Sequence, residues 1–310
     1  MSVDDRYWRD PALGERVELE TSGGRMHANV AGDGEPIVFV HGALVNANLW
    51  RRVVAALASR FRCITLELPL GSHELPMPEA DMSPPGLAEL VVEACGGLEL
   101  ERPVLVGNDT GGALCQIALA RHPDLAGGLV LTSCDAYDNF PPRFFRIVLW
   151  PGRFPAVARI GFAPLRLHAL RKAPIAFGWL MRSKLDRRVG DSYVLPVLTG
   201  SGQGEDIARF LRAVDPRYTL EAAQRLRSYE HPVLIAWSRD DRFFPPEHAE
   251  RLAAELPHAR LEWIEDSLTF SPEDQPERLA GLIGELVSEA RPAASPGGAR
   301  ASASGHGGSA

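Results

Sequence analysis

The sequence predicts an α/β fold in which a mostly parallel sheet is flanked by helices and carries an inserted helical cap. Short apolar runs alternate with segments of helical periodicity, which is the pattern of a parallel sheet covered on both faces. One such run, residues 104–106, enters a Gly-x-Asp-x-Gly turn that starts a helix. Residues 139–228 are rich in Phe, Trp, Arg and Pro and show no clear strand, which predicts the cap.

Each predicted strand and helix rests on a local pattern in the sequence. A hairpin over residues 16–20 and 26–31, turned at Ser22-Gly23-Gly24, opens the chain because turn residues separate two alternating runs. Continuous apolar runs predict buried strands at residues 36–40, 63–68, 104–106, 129–131, 233–237 and 261–264. Helical periodicity predicts helices at residues 46–60, 87–98, 113–121, 156–170, 207–214, 248–256 and 276–289.

These elements divide the chain into an α/β core over residues 1–136, a helical cap over residues 137–228 and a second part of the core over residues 229–290. The tail, residues 291–310, consists of Ala, Gly, Ser and Pro with two Arg residues and one His. That composition cannot bury a core, so we expect the tail to be disordered.

Composition limits the class of protein. The 310 residues are 45% hydrophobic, enough for one large domain, but no apolar run is long enough to span a membrane. The first residues lack a signal-peptide layout, and the four cysteines, which show no CxxC pairing, are predicted to be buried thiols. We therefore expect a cytoplasmic protein without a disulfide framework or a metal site.

Charge is unevenly distributed. Residues 137–228 hold 16 Lys and Arg against 7 Asp and Glu, whereas the rest of the chain holds 17 against 33. This asymmetry predicts a separate structural unit with its own surface. Nucleic acid is not an expected partner, because the whole chain is acidic and carries no recognised binding motif.

The Gly-x-Asp-x-Gly turn places Asp109 between the predicted strand and helix. Such a sharp turn strains its central residue and needs small neighbours, here Gly107 and Gly111. The tip side chain then projects above the sheet, with the next backbone N–H, that of Thr110, pointing into the same space. The alternative interpretation is an ordinary turn in which Asp109 caps the helix.

Several features occur in one order: a strand before His41-Gly42, a strand before Glu67-Leu-Pro, the Asp109 turn, a helical insertion, and a strand before Asp240-Asp241-x-Phe-Phe-Pro245. In this combination the chain resembles the α/β-hydrolase fold superfamily over about residues 15–290. Within it, the chain is most similar to the epoxide hydrolase and haloalkane dehalogenase branch, whose nucleophile is an aspartate.

The resemblance implies a two-step mechanism without a cofactor or metal. The carboxylate of Asp109 would attack carbon to form an ester, and a histidine-activated water would hydrolyse that ester. The N–H groups of Thr110 and of Ala43, after His41-Gly42, would form the oxyanion hole. His41 itself is interpreted as a structural hydrogen-bonding residue of its loop.

The resemblance also implies an acid partner for the catalytic base. Asp241, four residues before Pro245, fits the family position, and the adjacent Asp240 is interpreted as a turn residue that faces away. In some relatives the acid follows the strand before the cap, which makes Asp135 a second candidate. We interpret Asp135 instead as a turn residue or helix cap.

The chain departs from the family at the catalytic histidine. Alignment on Phe270 and Pro276-Glu277 puts Thr269 there, and a threonine hydroxyl is no general base near neutral pH. His73, in the loop after the strand at residues 63–68, is the candidate replacement, the alternative being a solvent-facing loop residue. Three hypotheses remain: hydrolysis through an Asp ester, non-hydrolytic acid/base chemistry by an isomerase, lyase or cyclase, and an inactive binding homologue.

The predicted substrate is a hydrophobic small molecule, because the cap is rich in aromatic residues. Trp150 or Trp179 could bind a halide, and Tyr137, Tyr193 or Tyr218 could donate to an epoxide oxygen, although each fits a structural role as well. The cap arginines are interpreted as a solvated face. The alternative is contact with an anionic substrate, an acidic carrier protein or a membrane surface.

Overall fold

The computed structural model describes residues 6–148 and 150–290. These residues form a sheet of eight strands: β1 (Glu15–Thr21), β2 (Gly24–Ala31), β3 (Pro36–Val40), β4 (Arg62–Leu66), β5 (Val104–Asp109), β6 (Gly128–Cys134), β7 (Val233–Ser238) and β8 (Ala259–Ile264). Their spatial order is β1-β2-β4-β3-β5-β6-β7-β8. The β1–β2 and β2–β4 pairs are antiparallel and all others are parallel, so the predicted mostly parallel sheet is confirmed.

The helices of the described residues are α1 (Arg51–Leu57), α2 (Pro84–Gly97), α3 (Thr110–Arg121), α4 (Arg143–Val148), α5 (Pro155–Phe162), α6 (Arg187–Thr199), α7 (Gln203–Ala213), α8 (Pro216–Arg225), α9 (Pro246–Glu255), α10 (Ser271–Asp274) and α11 (Pro276–Ala290). Five of them, α4 to α8, lie between β6 and β7, where the described residues form no strand. None of the described helices is long and apolar enough to cross a membrane.

The central strands are buried on both faces. In β3, residues Ile37, Val38, Phe39 and Val40 are all fully inaccessible to solvent, and every residue of β6 and β7 is buried. Helices on each side of the sheet exclude water from both faces, which explains why these strands appear in the sequence as continuous apolar runs. Six neighbouring strands, β4, β3, β5, β6, β7 and β8, run parallel to one another. Their carboxyl ends therefore share one edge of the sheet.

Two predicted helices are shorter than expected. The helix predicted over residues 46–60 is a 3₁₀ turn (Ala47–Trp50) followed by α1. The Asn46 side chain accepts the Asn48 N–H at 3.1 Å and donates to the main-chain oxygen of Ser192 in α6 at 3.0 Å, which favours the tighter turn. The helix predicted over residues 156–170 ends at Phe162 and continues as separate 3₁₀ turns. Pro164, which has no N–H to donate, explains this break.

The four cysteines are free and buried, as predicted. The predicted tail over residues 291–310 lies outside the described residues.

Candidate active site

Asp109 lies at the junction of β5 and α3 in a backbone conformation that side chains rarely adopt. Its φ is 54° and its ψ is −131°, and the register between β5 and β6 shifts between Asn108 and Asp109. Strain of this kind costs about 1–3 kcal/mol and persists only where the surrounding structure enforces it. The side chain of Asp109 forms no capping hydrogen bond to α3. The geometry is that of the predicted strained turn rather than of an ordinary helix cap.

Glycines around Asp109 allow α3 to approach the sheet. A Cβ atom on Gly111 would overlap the main-chain oxygen of Val40, and one on Gly107 would come within 2.6 Å of the Gly112 Cα. A Cβ on Gly42 would come within 2.6 Å of the Asp109 Cβ and would overlap its carboxylate. Each of these positions therefore excludes a side chain, and together they hold the turn in place.

We expect Gly111→Ala to reduce the free energy of unfolding by about 2–3 kcal/mol, because the obstacle is rigid backbone of β3. Gly281→Ala is the matched control: this glycine is also inside a helix, but its added Cβ would meet nothing within 4 Å. The free energy of unfolding of this control should rise by up to about 1 kcal/mol, because alanine has the higher helix propensity. Urea denaturation of each variant measures its free energy of unfolding. Equal stabilisation of the two variants would contradict the close approach of α3 to β3.

A cavity of about 470 Å³ lies above Asp109. Its described lining has three polar side chains, those of Asp109, Thr110 and Asp135, and no Lys, Arg, His or Tyr. The rest of the lining is apolar, glycine or proline, and includes Leu44, Val45, Phe140, Phe145, Val157, Ile160, Phe162, Leu165, Phe177, Leu180, Phe210, Leu211 and Phe270. Most of these side chains come from the segment between β6 and β7, which closes the cavity over the edge of the sheet.

Asp109 and Asp135 form a pair of carboxyl groups in this cavity. The Asp135 N–H donates to the Asp109 main-chain oxygen at 3.3 Å, and the Thr110 hydroxyl donates to one Asp135 carboxyl oxygen at 3.3 Å. The other carboxyl oxygen of Asp135 is buried without a hydrogen-bond partner. No cation lines the described cavity to balance the two groups.

Both carboxyl groups are therefore difficult to ionise. Burial raises the pKa of Asp109 to about 7, with the Thr110 N–H opposing the shift and the charge of Asp241 adding to it. Burial and the adjacent charge of Asp109 raise the pKa of Asp135 well above its ordinary value. Two interacting carboxyls titrate as a unit, so the pair retains a proton at pH values at which an ordinary aspartate is ionised.

Asp241 follows β7, where the family acid was predicted. One of its oxygens accepts the N–H groups of Phe243 and Phe244 at 2.8 and 2.9 Å, and its other oxygen is buried without a partner. Burial raises its pKa to about 6 despite these hydrogen bonds. Asp240, by contrast, is exposed and pairs with Arg182 at 2.5 Å, as expected of a residue that faces away.

Thr269 occupies the predicted position beside Asp241. Its hydroxyl donates to Asp241 at 3.2 Å, and its carbonyl accepts the Asn108 side-chain amide at 2.8 Å. The residue is fully buried and is absent from the described cavity lining, which the next residue, Phe270, reaches. Thr269 therefore contacts Asp241, but it offers the cavity no base.

Both ring nitrogens of His41 form hydrogen bonds to the main chain. Its Nε2 accepts the Leu68 N–H at 3.1 Å, which leaves Nδ1 to donate to the Gly42 carbonyl at 2.8 Å. Burial lowers the pKa of His41 to about 4, so the ring stays neutral. These bonds hold the loop after β3, and they place Ala43 in the cavity lining next to Asp109.

The structure argues against His73 as a displaced base. The ring is buried, its Nδ1 accepts the Gly71 N–H at 3.2 Å, and its Nε2 donates to Asp206 of α7 at 2.9 Å. Both nitrogens are therefore occupied, and His73 does not line the described cavity. The solvent-facing alternative is wrong, because His73 is buried and joins the loop after β4 to α7.

None of the predicted aromatic donors whose side chains the structure describes lines the cavity. Trp179 packs against Phe144 and Phe243. The side chain of Trp150 lies outside the described residues. The three candidate tyrosines are absent from the described lining: the Tyr137 hydroxyl faces Glu255, the Tyr193 hydroxyl is buried without a partner, and the Tyr218 hydroxyl accepts a hydrogen bond from Arg217.

The interpretation of Asp135 as a turn or cap residue does not fit its buried position in the lining of the cavity. The sequence did contain an indication that Asp135 belongs to the site. Asp135 directly follows a buried parallel strand, and such a residue lies at the same edge of the sheet as Asp109.

One cluster outside the cavity has the geometry of a metal site. The ligand atoms of His27, Glu67 and Glu74 lie within 4.8 Å of one another, a grouping that the sequence spacing did not predict. However, Arg9 forms an ion pair with Glu67 and Arg16 forms one with Glu74 at 2.5 Å. Although burial opposes it, the charge of Arg9 lowers the pKa of Glu67. Guanidinium groups thus already satisfy the carboxylates.

Comparisons with known proteins agree with this architecture. The profile of the alpha/beta hydrolase fold family matches residues 35–276. The chain is 26% identical over 291 residues to the 2-hydroxymuconate semialdehyde hydrolase of Pseudomonas sp. (strain CF600), covering 92% of this chain and 97% of that protein. It is 25% identical over 316 aligned positions to haloalkane dehalogenase 2 of Mycobacterium tuberculosis (strain CDC 1551 / Oshkosh), covering 92% and 99%.

Among solved structures, an alpha/beta hydrolase fold protein from Burkholderia ambifaria superposes with a TM-score of 0.74 at 27% identity, covering 87% of this chain and 97% of that chain. The eight-stranded sheet, its strand order and the profile match over most of the chain lead to one conclusion. This protein belongs to the α/β-hydrolase fold family.

Proposed function

We propose that this protein is an enzyme that transfers protons on a hydrophobic small molecule through the Asp109–Asp135 carboxyl pair. The observation that carries the proposal is the pair itself, enclosed in an apolar cavity of about 470 Å³ whose described lining contains no cation and no imidazole. A cavity of this size and character fits an apolar ligand of drug-like size.

The carboxyl pair supports catalysis because its protonation is poised near neutral pH. The protonated member donates its proton to a substrate oxygen or carbon, and the ionised member accepts a proton from a second position on the same molecule. Transfer of the proton back across the pair restores the starting state. Carboxyl groups with raised pKa values serve as acids and bases in this manner. Isomerisation, elimination, cyclisation and epoxide opening by an internal nucleophile all fit such a cycle.

Hydrolysis through a histidine-activated water has less support. The hydroxyl of Thr269 is directed to Asp241, and both nitrogens of His73 are occupied elsewhere. An ester on Asp109 would therefore lack the usual base for its hydrolysis.

A second candidate is a nucleophilic Asp109 that forms an ester, as proposed from the family resemblance. The strained turn at Asp109 favours it, and the Asp109 carboxyl group lines the cavity. In this case Asp135, with its unpartnered carboxyl oxygen, is the group available to activate water. The two candidates differ in the origin of the oxygen in the product.

The test is incubation with a panel of hydrophobic epoxides and alkyl halides in isotopically labelled water, with intact-mass analysis of the protein and mass spectrometry of the products. Proton transfer predicts a product without solvent oxygen and no adduct on the protein. Solvent oxygen in the product, or a substrate-derived adduct absent from Asp109→Ala, would favour the ester route instead.

Asp240→Asn is the matched control, because Asp240 is an exposed aspartate next to Asp241. We expect Asp109→Asn and Asp135→Asn each to reduce turnover at least ~100-fold, the usual range for loss of an acid or base, while Asp240→Asn retains it. If the panel yields neither adduct nor product and ligand affinity survives Asp109→Asn, the protein is a binding homologue and the enzymatic proposal fails.

A further inference from the structure

Exposed apolar side chains are concentrated in one segment of the cap. Seven large hydrophobic residues of the described structure are exposed, and six of them lie between residues 147 and 170. We call these six the cap patch: Ile147, Phe154, Val157, Ile160, Leu167 and Leu170. Ile147 and Ile160 are 77% and 73% exposed, which is unusual for isoleucine in a protein surrounded by water alone.

The surroundings of the cap patch are basic. Residues 139–185 contain nine Lys and Arg and no Asp or Glu, within a chain whose net charge is −7. Six of these basic side chains are exposed and form no ion pair within the described structure: Arg143, Arg146, Arg159, Arg166, Lys172 and Lys184. The cap patch therefore combines protruding apolar side chains with uncompensated positive charge.

The cap patch also borders the mouth of the cavity. Val157 and Ile160 line the cavity, yet they are 43% and 73% exposed to solvent. Both belong to α5, so this helix separates the cavity from the surface. A ligand entering beside α5 passes the cap patch before it reaches Asp109.

We propose that the cap patch docks onto the surface of an anionic lipid bilayer. Aliphatic and aromatic side chains enter the boundary between headgroups and acyl chains, while neighbouring arginines and lysine bind lipid phosphates. A second copy of the chain is the less suitable occupant, since two faces without acidic residues would repel each other. The mouth of the cavity would then face the lipid phase. The inference does not depend on the chemistry proposed for Asp109.

Cosedimentation with lipid vesicles tests the proposal. We expect the wild-type protein to sediment with vesicles containing phosphatidylglycerol and to remain in solution with pure phosphatidylcholine, and added salt to weaken the binding. Ile147→Asp, Ile160→Asp and the double variant Arg146→Glu/Arg166→Glu should each reduce the partition coefficient at least ~10-fold. Circular dichroism and urea denaturation verify that each variant is folded.

Matched controls come from α8, which packs against the core helix α3. Leu220 is the seventh exposed hydrophobic residue, and Arg217 is exposed without an ion pair in the described structure. Leu220→Asp and Arg217→Glu should bind vesicles as the wild type does. The proposal is overturned if the wild type ignores anionic vesicles or if the control variants lose binding equally. A dimer in solution that Ile160→Asp dissociates, without vesicle binding, would assign the cap patch to a second copy.

Discussion

Asp109→Asn is expected to be more stable than the wild-type protein at about pH 8 by about 4 kcal/mol, and about equally stable at pH 4, while losing its turnover. The stability difference follows from the raised pKa of Asp109. In the unfolded chain this carboxyl ionises near its ordinary value of 3.8, whereas in the folded protein burial raises its pKa to about 7. Asparagine occupies the same volume and carries no charge at any of these pH values.

The direction of the pH dependence is determined by proton uptake. Between about pH 4 and pH 7 the folded protein retains a proton that the unfolded chain has lost, so the stability of the wild type falls as the pH rises through this window. The pKa values of Asp135 and Asp241 are also raised, so these two groups likewise make the folded protein less stable as the pH rises. Substitution of Asp109 also removes the charge that raises the pKa of Asp135, which makes the two effects non-additive.

Urea denaturation at a series of pH values measures this difference, and Asp240→Asn is again the control. Asp240 is exposed and paired with Arg182, so its substitution should not produce a difference that grows between acidic and neutral pH. An Asp109→Asn protein whose stability follows that of the wild type across the whole range would show that Asp109 ionises normally in the folded state.

On the second candidate function, in which Asp109 forms an ester, Thr269→His is expected to create hydrolytic turnover of epoxides or alkyl halides, at a rate at least ~100-fold above that of the wild-type protein. The structure retains the partner that an imidazole requires. Asp241 already binds the side chain of residue 269, and its second oxygen is buried without a hydrogen bond. An imidazole N–H would satisfy that oxygen, and the other ring nitrogen would then be available to activate water for attack on an Asp109 ester.

Thr269→Val is the matched control, since it keeps the shape of threonine, removes the hydroxyl bond to Asp241 and supplies no base. The double variant Asp109→Ala/Thr269→His should be inactive, because no ester can form. Labelled water should place solvent oxygen in the product of the single variant. A folded Thr269→His protein that carries a persistent adduct and releases no product would contradict the assignment of Asp241 as the partner of a base at this position.

The sequence and the structure agree on the residues that come from local motifs. Asp109 could be predicted because a strained strand-to-helix turn imposes its requirement for small residues on its immediate neighbours. The structure bears out that requirement at Gly107 and Gly111. Asp241 and Thr269 were located by spacing from Pro245 and Phe270, and they form a hydrogen bond in the structure.

The disagreements concern residues whose role depends on distant partners. His73 follows β4 like a residue of the site, yet Asp206 of α7, far along the chain, binds its Nε2. Asp135 has the composition of a turn around it, yet it reaches the cavity because β6 lies beside β5. Sequence spacing carries no information about the contact between His73 and Asp206, which depends on how α7 packs against the loop after β4. For Asp135 the only signal was its place directly after a buried parallel strand.

Sequence alone determined the fold class, the strained turn at Asp109 and the basic, aromatic composition of the segment between β6 and β7. These properties depend on hydrophobic periodicity, local backbone sterics and residue identity, all of which are local. Only the tertiary structure decided which carboxyls share the cavity, which histidines are occupied and which apolar side chains of the cap remain exposed. Those outcomes follow from packing between elements far apart in sequence, where burial and the proximity of other charges determine the protonation and accessibility of each group.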